Sequence, residues 1–162
     1  MASLAGKTAV ILGASGSANF GSAIARRLAA EGANTVVSAR RVEPLTQLAS
    51  ELGGTAVQCD VTREGDIELL FKQALETHGR VDIAVFSAGI HSGVAIADLT
   101  AEAIRPTAEI SFIGALLFFL GRHERGRSEQ RRDERSTAHP RHRLAPGYRC
   151  CAAHCVPPRL RL

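Results

Sequence analysis

Residues 9–41 read AVILGASGSANFGSAIARRLAAEGANTVVSARR. An apolar run, Ala9 to Leu12, meets a glycine-rich turn. The turn opens an amphipathic stretch, and a second apolar run follows that ends in Arg40 and Arg41. Thr8 to Leu12 reads as a buried strand, since the run is short, apolar and bounded by a turn signal. Gly21 to Glu31 reads as a helix with Ala23, Ile24, Ala25 and Leu28 toward the sheet and Gly32 ending it. Thr35 to Ser38 reads as a second strand.

The same alternation continues outward. Glu43 to Leu52 is expected as a helix with Pro44 in its first turn, closed by Gly53-Gly54. Thr55 to Cys59 is a third strand. Thr62 to His78 is a third helix, capped by Thr62, with Ile67, Leu70, Phe71, Ala74 and Leu75 at helical spacing. Val81 to Phe86 is a fourth strand, and Thr100 to Leu120 a long helix whose start Pro106 delays. The order β-α-β-α-β-α-β-α with short connections implies a parallel sheet covered on both faces. Right-handed crossovers place the strand ends Leu12, Ser38, Cys59 and Ser87 along one edge, and ligands of such sheets bind at the carboxyl ends of strands.

Every residue with chemical promise falls on that edge. Gly13 follows the first strand directly, and the loop from Gly13 to Gly21 offers backbone N–H groups at a helix N-terminus, a setting that favours a pyrophosphate. Ser15, Ser17 and Asn19 add side-chain donors. The competing reading is a plain glycine-rich connection. At the end of the second strand an acidic residue would bind a ribose 2′-hydroxyl, whereas an arginine accommodates a 2′-phosphate. Positions 37–41 hold no Asp or Glu, which favours NADP over NAD. The competing reading of Arg40 and Arg41 is a solvated pair. Asp60 is placed to bond an adenine amino group or to cap the following helix. Ser87-Ala88-Gly89 brings small residues where a backbone can approach a cofactor, or forms a tight turn. His91 reads as a solvated loop residue.

Composition divides the chain in two. Residues 1–120 carry 2 Lys and 7 Arg against 12 acids, a net of −3, and residues 121–162 carry 11 Arg against 4 acids, a net of +7. The body is rich in Ala, Val, Ile, Leu and Gly, which suits an aliphatic core between sheet and helices. Cys59 lies in the body, and Cys150, Cys151 and Cys155 lie in the tail. No disulfide framework is visible. The first residues show no secretory pattern, and the apolar stretch Ile113 to Leu120 is too short for a bilayer, which takes roughly 20 residues. The expected location is the cytoplasm, without membrane association.

Taken together, residues 5–120 resemble the short-chain dehydrogenase/reductase family. GASGSANFG matches its glycine motif, with the last glycine, Gly21, two residues late as in the enoyl reductase branch. The resemblance also rests on Arg40-Arg41, on Cys59-Asp60-Val61-Thr62 for the Asp-Val motif, and on Phe86-Ser87-Ala88-Gly89 for Asn-Asn-Ala-Gly. Ser111 stands where the family's helix carries an asparagine, with Gly114 matching the glycine of N-x-x-G. The resemblance implies a Rossmann-like doubly wound α/β sheet and hydride transfer between NADP(H) and a small-molecule carbonyl or alcohol. Homo-oligomers are implied as well. It assigns cofactor binding to Gly13, Ser15, Gly16, Asn19, Phe20, Gly21, Arg40, Arg41, Asp60, Val61, Ser87, Ala88 and Gly89. The family's Tyr-x-x-x-Lys pair, a Tyr acid/base beside a Lys that lowers its pKa, is missing: the one tyrosine is Tyr148, position 152 is Ala152, and the lysines are Lys7 and Lys72. No catalytic or metal-ligating residue is therefore assigned.

Residues 121–162 show no strand or helix periodicity. Arginine without lysine, mixed with His, Pro and Cys, reads as a shifted reading frame or a disordered segment. The alternatives are a basic arm for nucleic acid and a zinc site from Cys150, Cys151, His154 and Cys155. Acids interrupt the first, and the second lacks paired C-x-x-C spacing.

Overall fold

The central strand has every residue buried, because it is covered on both faces and paired on both edges. This is β1 (Thr8–Leu12), flanked by β2 (Asn34–Ala39) on one side and β4 (Ile83–Phe86) on the other, with β3 (Thr55–Gln58) outside β2. The computed structural model describes residues 3–15, 19–90 and 93–121. All pairings are parallel; Val10 lies opposite Val36 and Ala84, Leu12 opposite Ser38 and Phe86, and Ala39 opposite Gln58.

The two-residue period of a strand sends neighbours to opposite faces. Ala9, Ile11 and Val37 pack with Ala25 of α1 (Phe20–Ala30) and with Leu45 and Leu48 of α2 (Val42–Leu52). Val10, Leu12, Val36 and Val57 pack with Ile67, Leu70 and Phe71 of α3 (Glu64–His78), and with Ile110 and Phe118 of the last helix. The expected doubly wound α/β architecture is therefore present over the described residues. The tail from 122 onward lies outside them.

Several local expectations are corrected. Thr62 does not cap α3: the N-cap is Arg63, and the Thr62 hydroxyl donates instead to Asp60 Oδ1 at 2.8 Å. Ala23 is exposed; α1 faces the sheet through Gly21, Ser22 and Ala25, because its start is drawn tight against β1. Pro106 does not delay the last helix. Thr100 Oγ1 accepts the N–H of Ala103 at 3.2 Å and fixes the start, so α4 (Ala101–Ala108) contains the proline and forgoes one backbone bond. A π-helical turn, Glu109–Ile113, follows, and the helix runs on to Gly121.

That continuity also corrects the reading of membrane-spanning length. Ala101–Gly121 is a single 21-residue helix containing an 18-residue window of mean hydropathy 1.5, long and apolar enough to cross a membrane by length and composition. One side is seated on the sheet: Phe118 is fully buried, with its ring 5.1 Å from that of Phe71 and 5.7 Å from that of Phe86. The other side, including Phe112, Leu116 and Phe119, is exposed. β4 is half-buried throughout, and no strand pairs with its outer edge among the described residues.

Asp82 ties the start of β1 to the entry of β4. Its carboxylate accepts from the Thr8 backbone N–H at 2.9 Å and from Arg80 Nε at 2.8 Å, and pairs with Lys7 Nζ at 3.3 Å. Partial burial pushes the carboxyl up, but the Arg80, Thr8 and Lys7 donors outweigh it and hold its pKa at about 2.

Two predictions follow from this packing. Phe118→Ala is expected to lower the unfolding free energy by about 3–5 kcal/mol in urea titrations, since a fully buried ring is deleted. Asp82 has a depressed pKa, so its stabilisation is present above its ordinary value of 3.8 and is lost as pH falls from there toward about 2. Asp82→Asn is expected to be less stable than the unaltered chain at pH 7, with the gap closing across that window in thermal melts.

Candidate functional site

Three backbones converge at the carboxyl end of β1. Gly13 has φ +97°, and a Cβ there would stand 2.5 Å from the Ser87 carbonyl carbon. A Cβ on Gly21 would stand 2.6 Å from the Gly13 carbonyl oxygen. Only glycine lets the end of β4 and the start of α1 come this close to the turn. The Gly13 and Ala14 N–H groups both donate to Ser38 O, at 2.8 and 3.1 Å, and Ser87 N–H donates to Leu12 O at 2.8 Å. The corner is thus stitched to β2 and β4 together.

Asn19 closes the loop. Its Nδ2 donates to Gly13 O at 3.0 Å and its Oδ1 accepts the Ser22 N–H at 2.8 Å, which makes it the N-cap of α1. The side chain expected as a free donor is therefore committed to the loop itself. The cap leaves the Phe20 and Gly21 N–H groups in the first turn without intrahelical partners, at the positive end of the helix.

A cavity of about 230 Å³ opens on this edge. Gly13, Ser15 and Asn19 line one wall, Ala39, Arg40, Cys59 and Val61 the second, and Ser87, Ala88, Gly89 and Ile110 the third. Of the residues singled out in the sequence, Gly21 lies behind Gly13. The Phe20 ring is 84% exposed and outside the cavity. Gly16, Ser17, His91 and the tail cysteines lie outside the described residues. Arg41 does not line the cavity; its Nη2 donates to Ser15 O at 3.2 Å.

Asp60 faces a second, open groove of about 540 Å³ at the outer edge of β3, which it shares with Arg40, Gln58, Arg63 and Asp66. The capping reading of Asp60 is corrected. It does not cap α3; its Oδ1 accepts the Thr62 N–H at 3.0 Å and the Thr62 hydroxyl in a local turn, and its own N–H donates to Asp66 Oδ2 at 2.9 Å. The Thr62 N–H bond holds the Asp60 carboxyl below its ordinary value; partial burial opposes this, and the Thr62 hydroxyl, Arg40 and Arg63 add to the lowering. The charged groove is the larger space, but the converging backbones, the helix terminus and the small residues are all at the smaller cavity.

Sequence reasoning placed Cys59 on this edge but missed Ala39, Ile90 and Ile110 as lining residues. Ala39 ends β2, so its position was available from the strand itself. Ile110 arrives from the π-helical turn and required the tertiary path. The Cys59 thiol is 1% exposed; burial first, and the Asp66 carboxylate second, push its pKa up to about 12, so it stays a thiol at neutral pH. Among the described residues no group of three or more His, Cys, Asp or Glu could hold a metal ion.

Residues 7–120 match the model of the short chain dehydrogenase family. The chain is 39% identical over 100 residues to an uncharacterized oxidoreductase of Mycobacterium bovis, covering 59% of this chain and 40% of that protein. It is 31% identical over 116 residues to a mitochondrial borneol dehydrogenase of Lavandula x intermedia, covering 70% of this chain and 44% of that protein. A crystal structure of a variant actinorhodin polyketide ketoreductase with NADPH superposes with a TM-score of 0.70 at 31% identity, covering 77% of this chain and 49% of that one. The chain thus spans less than half the length of each of these three.

The corner's geometry predicts a graded response to substitution. Asn19→Ala is expected to cost about 1 kcal/mol of stability through loss of the cap. Gly13→Ala is expected to cost well above the roughly 1–2 kcal/mol of an unfavourable backbone region, because the added carbon also meets the Ser87 backbone. Urea denaturation of both variants checks the order.

Proposed function

Because this chain belongs to the short chain dehydrogenase family, we propose that the edge formed by Gly13, Ser15, Asn19, Arg40 and Ser87-Ala88-Gly89 binds NADP(H). The observation that carries the reading is the triple backbone approach at Gly13. It leaves small residues and first-turn N–H groups around a cavity at the carboxyl ends of four parallel strands, the place where such sheets hold phosphates. A pyrophosphate fits against the loop and the Phe20 and Gly21 N–H groups. Val61 and Ile110 offer apolar contacts on the other two walls. The bound nicotinamide would supply hydride transfer to or from a carbonyl or alcohol.

Arg40 supports NADP over NAD, since a guanidinium suits a 2′-phosphate and no acidic residue stands at positions 37–41. That a borneol dehydrogenase and a polyketide ketoreductase are among the similar proteins supports an alcohol or ketone as the substrate class. The unpartnered face of the last helix supports assembly with further protein surface, a homo-oligomer included.

Turnover is a separate matter. A Tyr-x-x-x-Lys pair is nowhere in the 162 residues, so the general acid of the family's chemistry has no counterpart here. The reading is a cofactor-binding unit of an oxidoreductase that, with this sequence, binds without catalysing. The test is calorimetric titration of the purified chain with NADPH and NADH, followed by assay of NADPH oxidation over a panel of carbonyl compounds. Binding that favours NADPH, without turnover, is expected. Turnover would overturn the non-catalytic half of the proposal, and binding of neither dinucleotide would overturn all of it.

A further inference from the structure

Arg40 and Arg41 are adjacent in sequence and both exposed, yet the structure gives them different surroundings. Arg41 Nη2 donates to the Ser15 carbonyl, a bond that spans 26 residues and joins the end of β2 to the glycine loop. Ser15 itself lines the cavity. Arg40 borders both the cavity and the charged groove beside it. Its backbone is fixed by Gln58 Nε2, which donates to Arg40 O at 3.0 Å, while its guanidinium has no hydrogen bond or ion pair among the described residues.

We infer that Arg41 acts on dinucleotide binding without touching the dinucleotide, as a positioning residue that holds the glycine loop through Ser15 O, and that reading of the ribose phosphate falls to Arg40 alone. This rests on the dinucleotide reading of the site. The loop leaves β1 at Gly13, the N–H groups of Gly13 and Ala14 donate to Ser38 O of β2, and Arg41 at the end of β2 holds the next carbonyl, Ser15 O. A fork-shaped guanidinium makes that bond with one N–H and leaves the carbonyl oriented. A phosphate bound at the β2 end meets Arg40 first, since Arg40 borders the cavity and Arg41 does not.

The two roles separate cleanly in measurement. A phosphate reader changes the ratio of NADPH to NADH affinity. A loop holder weakens both by one factor and leaves the ratio alone. Calorimetry on the full chain and on Arg40→Ala and Arg41→Ala, with NADPH, NADH and adenosine 2′-monophosphate, distinguishes them. The last probe lacks a pyrophosphate and so reports the ribose-phosphate subsite by itself. Arg40→Ala is expected to lose roughly tenfold or more in NADPH and adenosine 2′-monophosphate affinity while NADH is unchanged, the scale of a lost charge-assisted contact. Arg41→Ala is expected to weaken NADPH and NADH equally, by roughly threefold, and to leave adenosine 2′-monophosphate unaffected. A fall in the NADPH preference, or in adenosine 2′-monophosphate affinity, in Arg41→Ala overturns the division of roles, as does an unchanged preference in Arg40→Ala. Binding of neither dinucleotide by the unaltered chain overturns the underlying dinucleotide reading instead.

Discussion

At Gly13 three chain segments meet with no space for a side chain. The end of β4 lies against one side of the turn and the first residues of α1 against the other. Their separations are set by backbone contact rather than by packing of variable side chains. Everything else on the carboxyl edge inherits its position from this corner. Ser38 O receives both the Gly13 and Ala14 N–H groups, which aligns β2 and hence Arg40. Asn19 bonds back to Gly13, which sets where the helix N-terminus points.

The two faces of the sheet are built on different footings. The face under α1 and α2 is aliphatic, with Ala9, Ile11, Val37, Leu45 and Leu48 buried. The face under α3 and the last helix depends on the rings of Phe71, Phe86 and Phe118. Ile110 and Phe118 are the buried side chains through which the largely exposed helix is held on the sheet. The same helix leaves Phe112, Leu116, Phe119 and Leu120 facing outward, and β4 stays half-buried. This apolar surface is uncovered among the described residues.

Charge on the carboxyl edge is arranged in two zones. The cavity is lined mostly by small and apolar groups with Arg40 at its rim. The neighbouring groove carries Asp60, Asp66, Arg40 and Arg63. Because Thr62 and Arg40 hold Asp60 ionised, the groove as a whole is close to balanced, and among the described residues Arg40 is the one that lines both the groove and the cavity.

The order of elements along the chain, their parallel pairing and the glycine corner were legible in the sequence, because each has a local cause. Apolar runs of strand length, helical spacing, and glycines at the turn all act over a few residues. The sites of Gly13, Ser15, Arg40 and Ser87-Ala88-Gly89 on one edge followed from topology, and that of Val61 from the family resemblance. What the tertiary structure decided was how polar groups spend their bonds. Asn19, expected as a free donor, is used by the loop; Thr62 serves Asp60 instead of a helix; Arg41 turns to Ser15 while Arg40 does not. Ile110 reached the cavity because a helix with an internal proline and a π turn crosses beneath it. Hydrogen-bond partners and helix paths are settled by residues tens of positions away, so no local pattern in the chain encodes them.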